Sequence, residues 1–175
     1  MENINNIVIK KLNHLIAVAA YSQNNYIAAA ANVKNELIKK SLLQNAKERT
    51  ADIAELNSII RSLGGFDNET NQIVKDTDDI EKNVKSSFTL VDEDTLINEC
   101  IIKDNAVANA YAEALADNKI FGSIRDILGY QLSGIRNSVK SIRFYLRKVF
   151  INIEGYSIQN RDAQDQMESS ILRIP

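Results

Sequence analysis

Four polar residues stand out as candidates for chemistry: the acids Glu48 and Asp104 and the amides Gln23 and Gln131. Three of them fall in register with an apolar helical face, and Glu48 lies one position off its apolar stripe. Carboxylates can hold a metal ion, whereas amides are poor iron ligands but good hydrogen-bonding partners for a buried carboxyl group. The set allows a weak metal site, a small-ligand pocket or a structural polar layer, and we favour the polar layer.

The sequence contains one histidine, His14, and one cysteine, Cys100. A single cysteine excludes an intramolecular disulfide and a zinc site built from several thiolates. Cys100 falls on an apolar helical face, which is typical of a buried, unreactive thiol, and no acidic partners are placed to make His14 a metal ligand. The sequence also lacks a glycine-rich phosphate loop and a nucleophile elbow. We therefore expect no catalytic residues.

A basic stripe with spacings of four, three and four residues marks the last predicted helix. It consists of Arg136, Lys140, Arg143 and Arg147. The stripe can be read as a binding surface for phosphate, nucleic acid or an acidic partner. A solvated helix face is the simpler interpretation, and the net charge of −2 for the chain argues against a nucleic-acid partner.

Apolar residues recur at helical spacing along four long segments. The predicted helices cover about residues 3–33, about residues 36–63, a third segment that starts after Asp92 and ends before Asp117, and about residues 119–148. Asn35 and Asp92 are predicted N-caps, because their side chains can accept hydrogen bonds from the first turn of a helix. Gly64 and Gly65 supply the stop of the second helix, since glycine readily adopts the left-handed conformation.

Two further segments lack a strong helical pattern. Residues from about 66 to 91 form a polar connection that is too long for a hairpin turn, with a short helix predicted at about residues 71–85. Residues 149–175 are largely polar, with scattered apolar residues such as Ile151, Ile153, Ile158, Ile171 and Leu172, and we expect a partly ordered extension there. The domain prediction is therefore one helical domain over residues 1–148, followed by this C-terminal extension.

Two hairpins of long helices joined by one long connection favour a single topology. That topology is an all-α, ferritin-like four-helix bundle with one crossover, in which the second and third helices run parallel. The hairpin turns lie near residues 35 and 117, and each of the four candidate polar residues lies about 18–20 Å from its own turn at about 1.5 Å per residue. The topology therefore predicts that these four residues form a layer near the middle of the bundle.

Composition supports one helical domain of ordinary size. The chain has 175 residues, of which 45% are hydrophobic and 25% are charged, enough for a core. Six glycines and a single proline, Pro175, are too few for the many tight turns of a β-barrel or β-sandwich. No apolar run has the length of a transmembrane helix, and the N-terminus lacks the pattern of a signal peptide. We expect a cytoplasmic protein.

Several short motifs resemble a bacterial family of four-helix-bundle proteins in the ferritin-like superfamily. They are Tyr26 with Ala29 and Ala30, the run Ala46 to Arg49, the stop Leu63 to Gly65, Cys100, and the run Tyr111 to Leu115. The resemblance covers residues 10–147 and implies the same bundle fold. Relatives carry acids around position 23 and at 101 and 104, and often a histidine near 139. This chain has Gln23, Ile101, Asp104 and Val139 there, so one carboxylate is kept.

These departures affect whether the chain can hold a di-iron centre. A carboxylate-bridged di-iron centre needs oxygen ligands from four helices and a Glu-x-x-His pair, which the chain lacks. We therefore predict a non-catalytic, structural or partner-binding bundle with a degenerate di-iron site and no cofactor. The resemblance also favours a homodimer. The alternatives are an iron-binding or oxidoreductase protein with a variant site at Glu48 and Asp104, and binding of an anionic ligand through the basic stripe.

Overall fold

The computed structural model describes residues 3–66 and 92–171, with side chains up to residue 146. These residues form four helices and no strand, which confirms the prediction of an all-α fold for this part of the chain. The helices are α1 (Ile4–Asn32), α2 (Glu36–Ser62), α3 (Glu93–Ala116) and α4 (Gly122–Ile171). None of them combines the length and the apolar character needed to cross a membrane, as far as these residues extend.

The predicted N-caps of α2 and α3 and the predicted glycine stop of α2 are confirmed. The Asn35 side chain accepts hydrogen bonds from the first turn of α2, and Asp92 accepts one from the backbone N–H of Thr95 at 2.9 Å. Gly64 has a φ of 83°, the left-handed conformation expected after the end of α2. At Gly65, a Cβ would lie 2.8 Å from a side-chain carbon of Ile60, so a larger residue there would have to displace the last turn.

The last helix extends to Ile171, beyond its predicted end near residue 148. No proline occurs between Gly122 and Ile171 to stop it, and Gly155 costs only about 1 kcal/mol relative to alanine. The predicted extension over residues 149–175 is thus helical up to Ile171. The chain divides into two compact units, residues 1–142 and residues 143–175. The connection over residues 67–91 and its predicted short helix lie outside the described residues.

The core of the first unit joins apolar side chains from all four helices. Its fully buried members include Leu12 of α1, Leu56 of α2, Tyr111 of α3 and Leu128 of α4. All four fall on the apolar stripes that the sequence predicts. Removing a leucine or aromatic side chain of this size from water is worth about 1.5–3 kcal/mol, so burial of these stripes accounts for the association of the helices.

Contacts near the helix ends define the directions of α1, α2 and α3. The Asn5 side chain of α1 donates to the carbonyl oxygen of Leu63 at 3.4 Å, so the start of α1 lies beside the end of α2. Lys11 of α1 forms an ion pair of 3.0 Å with Asp117, and the backbone N–H of Lys34 donates to Glu93 at 2.6 Å. Both α2 and α3 therefore run opposite to α1.

Candidate functional site

A fully buried aspartate, Asp104 of α3, lies at the centre of a polar cluster. Two side chains of α1 donate hydrogen bonds to its carboxylate: the Ser22 hydroxyl at 2.5 Å and the Tyr26 hydroxyl. Ser22 and Tyr26 are four residues apart, so they lie on the same face of α1 and reach the same partner. Each carboxylate oxygen of Asp104 is thus held by one hydroxyl group.

Arg49 of α2 supplies the positive charge of this cluster, and its side chain is 1% exposed. One guanidinium nitrogen donates to the carboxylate of Asp52, three residues along the same helix. Its Nε lies 3.7 Å from Oδ1 of Asp104, and its Nη2 donates to the hydroxyl of Ser138 in α4 at 3.3 Å. The guanidinium therefore links three helices. We call the six residues the buried charged cluster: Ser22, Tyr26, Arg49, Asp52, Asp104 and Ser138.

Burial dominates the electrostatics of the buried charged cluster. Desolvation raises the pKa of Asp104 above its usual value, although Arg49 and the hydroxyls of Ser22 and Tyr26 act in the opposite direction. Desolvation also raises the pKa of Asp52, again opposed by Arg49. The pKa of the Tyr26 phenol is raised by burial and by the Asp104 carboxylate, so this hydroxyl stays protonated and remains a donor.

A second set of hydrogen-bonded polar side chains lies beside the buried charged cluster and is centred on Gln131 of α4. The Tyr111 hydroxyl donates to the side-chain oxygen of Gln131 at 2.8 Å, and the Gln131 amide nitrogen donates to Glu55 at 2.8 Å. The same nitrogen lies 3.4 Å from the backbone oxygen of Asp52. Gln131 is 2% exposed and has a partner for its oxygen and for its nitrogen, as a buried amide requires.

The structure brings two of the four candidate polar residues, Asp104 and Gln131, into these buried groups. Gln23 and Glu48 are half-buried and lie outside them. Gln23 donates to Thr50 at 2.8 Å, and Glu48 accepts from Gln44 at 3.1 Å.

In each case the side chain that enters the cluster belongs to a neighbouring residue, Ser22 beside Gln23 and Arg49 beside Glu48. A shift of one residue turns a side chain by about 100° around the helix axis, which is enough to move it from the interior to the edge. The sequence carried a signal for Arg49, because it lies seven residues from both Leu42 and Leu56, which are fully buried.

The other candidate residues lie apart from the cluster or line its surroundings. His14 is exposed, whereas Cys100 is 2% exposed and its thiol donates weakly to the backbone oxygen of Asn25 at 3.7 Å. Burial raises the pKa of Cys100 to about 12, so the thiol is protonated and unreactive at neutral pH. In the basic stripe, Arg136, Lys140 and Arg143 are exposed, and the side chain of Arg147 lies outside the described residues.

A groove of about 430 Å³ lies between α2 and the first part of α4, beside the buried charged cluster. Arg49, Asp52 and Ser138 of the cluster belong to its walls. Asn45 also lines the groove and is 6% exposed, and its amide nitrogen has no hydrogen-bond partner within the described part of the molecule. The polar interior is thus connected to the surface on this side.

The residues of the cluster do not fit a di-iron centre. Such a centre needs several carboxylates and imidazoles converging on one point. In residues 3–66 and 92–146, no three His, Cys, Asp or Glu side chains lie close enough to share a metal ion. The carboxylates of Asp52 and Asp104 both contact the guanidinium of Arg49, whose charge would repel a metal ion at short range.

Comparison with curated proteins finds no similar sequence. A protein-family model does match the chain over residues 7–117, which is more than half of its length. The matched range contains every member of the buried charged cluster except Ser138. The chain therefore belongs to the family described as a domain of unknown function, DUF2383.

Proposed function

We propose that this protein is a non-catalytic, ferritin-like four-helix bundle with a structural or partner-binding role, in which an arginine replaces the metal of a di-iron centre. The observation that carries the proposal is the position of Arg49. Its guanidinium is buried and contacts the carboxylates of both Asp52 and Asp104. A permanently charged guanidinium compensates these carboxylates without a metal ion.

The directions of the helices support the ferritin-like part of the proposal. Because α2 and α3 both run opposite to α1, they run parallel to each other. A connection from the end of α2 to the start of α3 then has to travel the length of a helix. One crossover over residues 66–91 meets this requirement and is the arrangement typical of ferritin-like bundles.

Hydrogen bonding across the interior supports a structural role for the charged cluster. Its contacts join α1 to α3 through Tyr26 and Asp104, and α2 to α4 through Arg49 and Ser138. Buried polar groups with specific partners can favour one register of packed helices, because any slip leaves a charge without its partner. In this proposal the cluster fixes how the four helices align.

Metal analysis tests the proposal against the iron-binding alternative at Glu48 and Asp104. Protein purified without chelators is measured before and after incubation with ferrous iron. We expect far less than one iron per chain, with no difference between the wild type and the Asp104→Ala variant. Glu113→Ala is the matched control, since Glu113 is an exposed acid of the same helix. Stoichiometric iron that is lost in Asp104→Ala but kept in Glu113→Ala would overturn the proposal.

The partner that we propose first is a second copy of the chain, in the cytoplasm. Exposed apolar side chains on α2, such as Leu37 and Leu43, supply surface that a homodimer can bury. Sedimentation equilibrium over a hundredfold range of protein concentration tests this point. A dimer is expected, and a monomer at every concentration would contradict it.

A further inference from the structure

We propose that the groove between α2 and α4 binds a neutral, polyhydroxylated ligand of about the size of a sugar. This inference goes beyond the proposed function and does not depend on it. The groove has a volume of about 430 Å³, within the range of small-molecule sites. Its walls carry many polar groups, with four side chains of α2 facing serines and an asparagine of α4. These α2 residues are Asn45, Glu48, Arg49 and Asp52.

The hydrogen-bonding groups of the groove call for a ligand that both donates and accepts. The buried amide nitrogen of Asn45 is a donor without a partner in the described residues, so it needs an acceptor. Glu48 and Asp52 present carboxylate oxygens, which accept from Gln44 and Arg49 and can accept further hydrogen bonds from a ligand. A hydroxyl group meets both requirements at once. An ammonium group donates only, so it leaves the Asn45 amide without a partner.

The charges of the groove disfavour an anion. Its walls hold two carboxylates, Glu48 and Asp52, and one guanidinium, that of Arg49. That guanidinium donates to Asp52 and lies 3.7 Å from Asp104, so these two carboxylates offset its charge. A phosphate or carboxylate ligand would therefore meet net negative charge, whereas a neutral ligand is not repelled.

Two residues of α4 shape the open side of the groove. Tyr130 lines it and is 81% exposed, so its ring offers an apolar face to the carbon-bound hydrogens of a sugar. Gly134 also lines the groove, and a Cβ added there would meet no atom within 4 Å. Absence of a side chain at Gly134 keeps space that a ligand can occupy.

Isothermal titration and ¹⁵N-NMR with a panel of neutral probes test the proposal on the full-length protein. The probes are glucose, galactose, trehalose and myo-inositol, with inorganic phosphate and spermidine as the anionic and cationic comparisons. We expect saturable binding of at least one neutral probe, with chemical-shift changes at the Asn45 side-chain amide. Neither phosphate nor spermidine is expected to change these signals.

Glycine substitutions provide a matched pair of variants. Gly134→Leu places a side chain in the groove and is expected to weaken binding by at least about tenfold. Gly129→Leu is the control, because Gly129 also has open space around its Cβ position but does not line the groove. It should bind like the wild type.

Asn45→Leu removes the donor without a partner and should weaken binding about tenfold, roughly the value of one hydrogen bond. The proposal is overturned if no neutral probe binds, if phosphate or spermidine binds in the groove instead, or if Gly134→Leu binds as well as Gly129→Leu. None of these results alters the metal content, so the two proposals fail separately.

Discussion

Two parts of the interior, built from the same four helices, are held together by different physics. Around Leu12, Leu56 and Leu128 the helices meet through apolar side chains that are fully withdrawn from water. Around Arg49 and Asp104 they meet through charges that are just as deeply buried. Apolar packing requires only that the volumes match, whereas each member of the buried charged cluster depends on a particular partner.

These two kinds of packing tolerate substitution to different degrees. A smaller side chain in the apolar part leaves a cavity, and the surrounding structure relaxes around it. Loss of one partner in the charged part leaves an uncompensated charge away from water, which no small relaxation can remedy. We therefore expect the charged part to be the more sensitive of the two to substitution.

The largest effect is expected for Arg49→Met, which keeps the length of the side chain and removes its charge. Because Asp52 and Asp104 lose their shared cation, the free energy of unfolding should fall by about 3–5 kcal/mol in urea denaturation. Lys47→Met is the control on the exposed side of the same helix and should change stability by less than about 0.5 kcal/mol. Equal effects of the two variants would contradict a role for the buried cation.

A double variant sharpens this test. Adding Asp104→Asn to Arg49→Met removes one of the two carboxylates that have lost their partner. The double variant should therefore be more stable than the sum of the single effects predicts, with a coupling of about 0.5–3 kcal/mol. Strict additivity would mean that Arg49 and Asp104 do not interact.

Leu128→Ala probes the apolar part of the comparison. It should lower the free energy of unfolding by about 2–5 kcal/mol, since the side chain is fully buried in the core. Ile102→Ala, at an exposed position of α3, should have little effect on the same urea transition. A loss at Ile102 as large as that at Leu128 would show that the core is misplaced.

Tyr26→Phe removes one hydrogen bond to Asp104 and keeps the aromatic ring. The carboxylate oxygen loses its donor, and stability should fall by about 1–3 kcal/mol. Tyr130→Phe is the matched control, because the Tyr130 side chain is exposed. Thermal or urea unfolding of both variants measures the difference, and an unchanged Tyr26→Phe would indicate that its hydroxyl is not used.

The smallest effect is expected in the pH dependence of stability. Burial raises the pKa of Asp104 in the folded state, so the folded protein binds the proton more tightly than the unfolded chain does. The contribution of Asp104 to stability is therefore full below its unfolded pKa and is lost as the pH rises through its folded pKa. Asp104→Asn cannot titrate, so the advantage of the wild type over this variant should shrink with increasing pH from about pH 4 upward. Urea unfolding at a series of pH values measures this advantage, and a growing one would have the wrong sign.

Local features of the structure could be predicted from the sequence. Apolar periodicity predicts the helices, and the caps Asn35 and Asp92 need only their own first turns to act. The end of α4 could not be predicted in the same way, because no residue between 148 and 171 forces a helix to stop and the one proline is Pro175. Where a helix ends without a local signal, periodicity alone does not locate its end.

The buried charged cluster could be predicted from the sequence only in part. Asp104 lies seven residues from both Ile97 and Tyr111, so its place on a buried face could be read from the stripe. Arg49 was missed, however, because candidate residues were chosen as metal ligands, and arginine is not one. Pairing of Arg49 with Asp104 depends on which faces of α2 and α3 turn inward, and a count of residues from the turns does not resolve a rotation of about 100°.

Anomalous diffraction from crystals grown with excess ferrous iron tests most directly whether Arg49 takes the place of a metal. Data collected at the iron absorption edge show whether a cation or the guanidinium lies against Asp52 and Asp104. We predict no anomalous peak there and clear density for the Arg49 side chain. A strong peak bound by these carboxylates, with Arg49 displaced, would show that a metal ion and not the guanidinium compensates them.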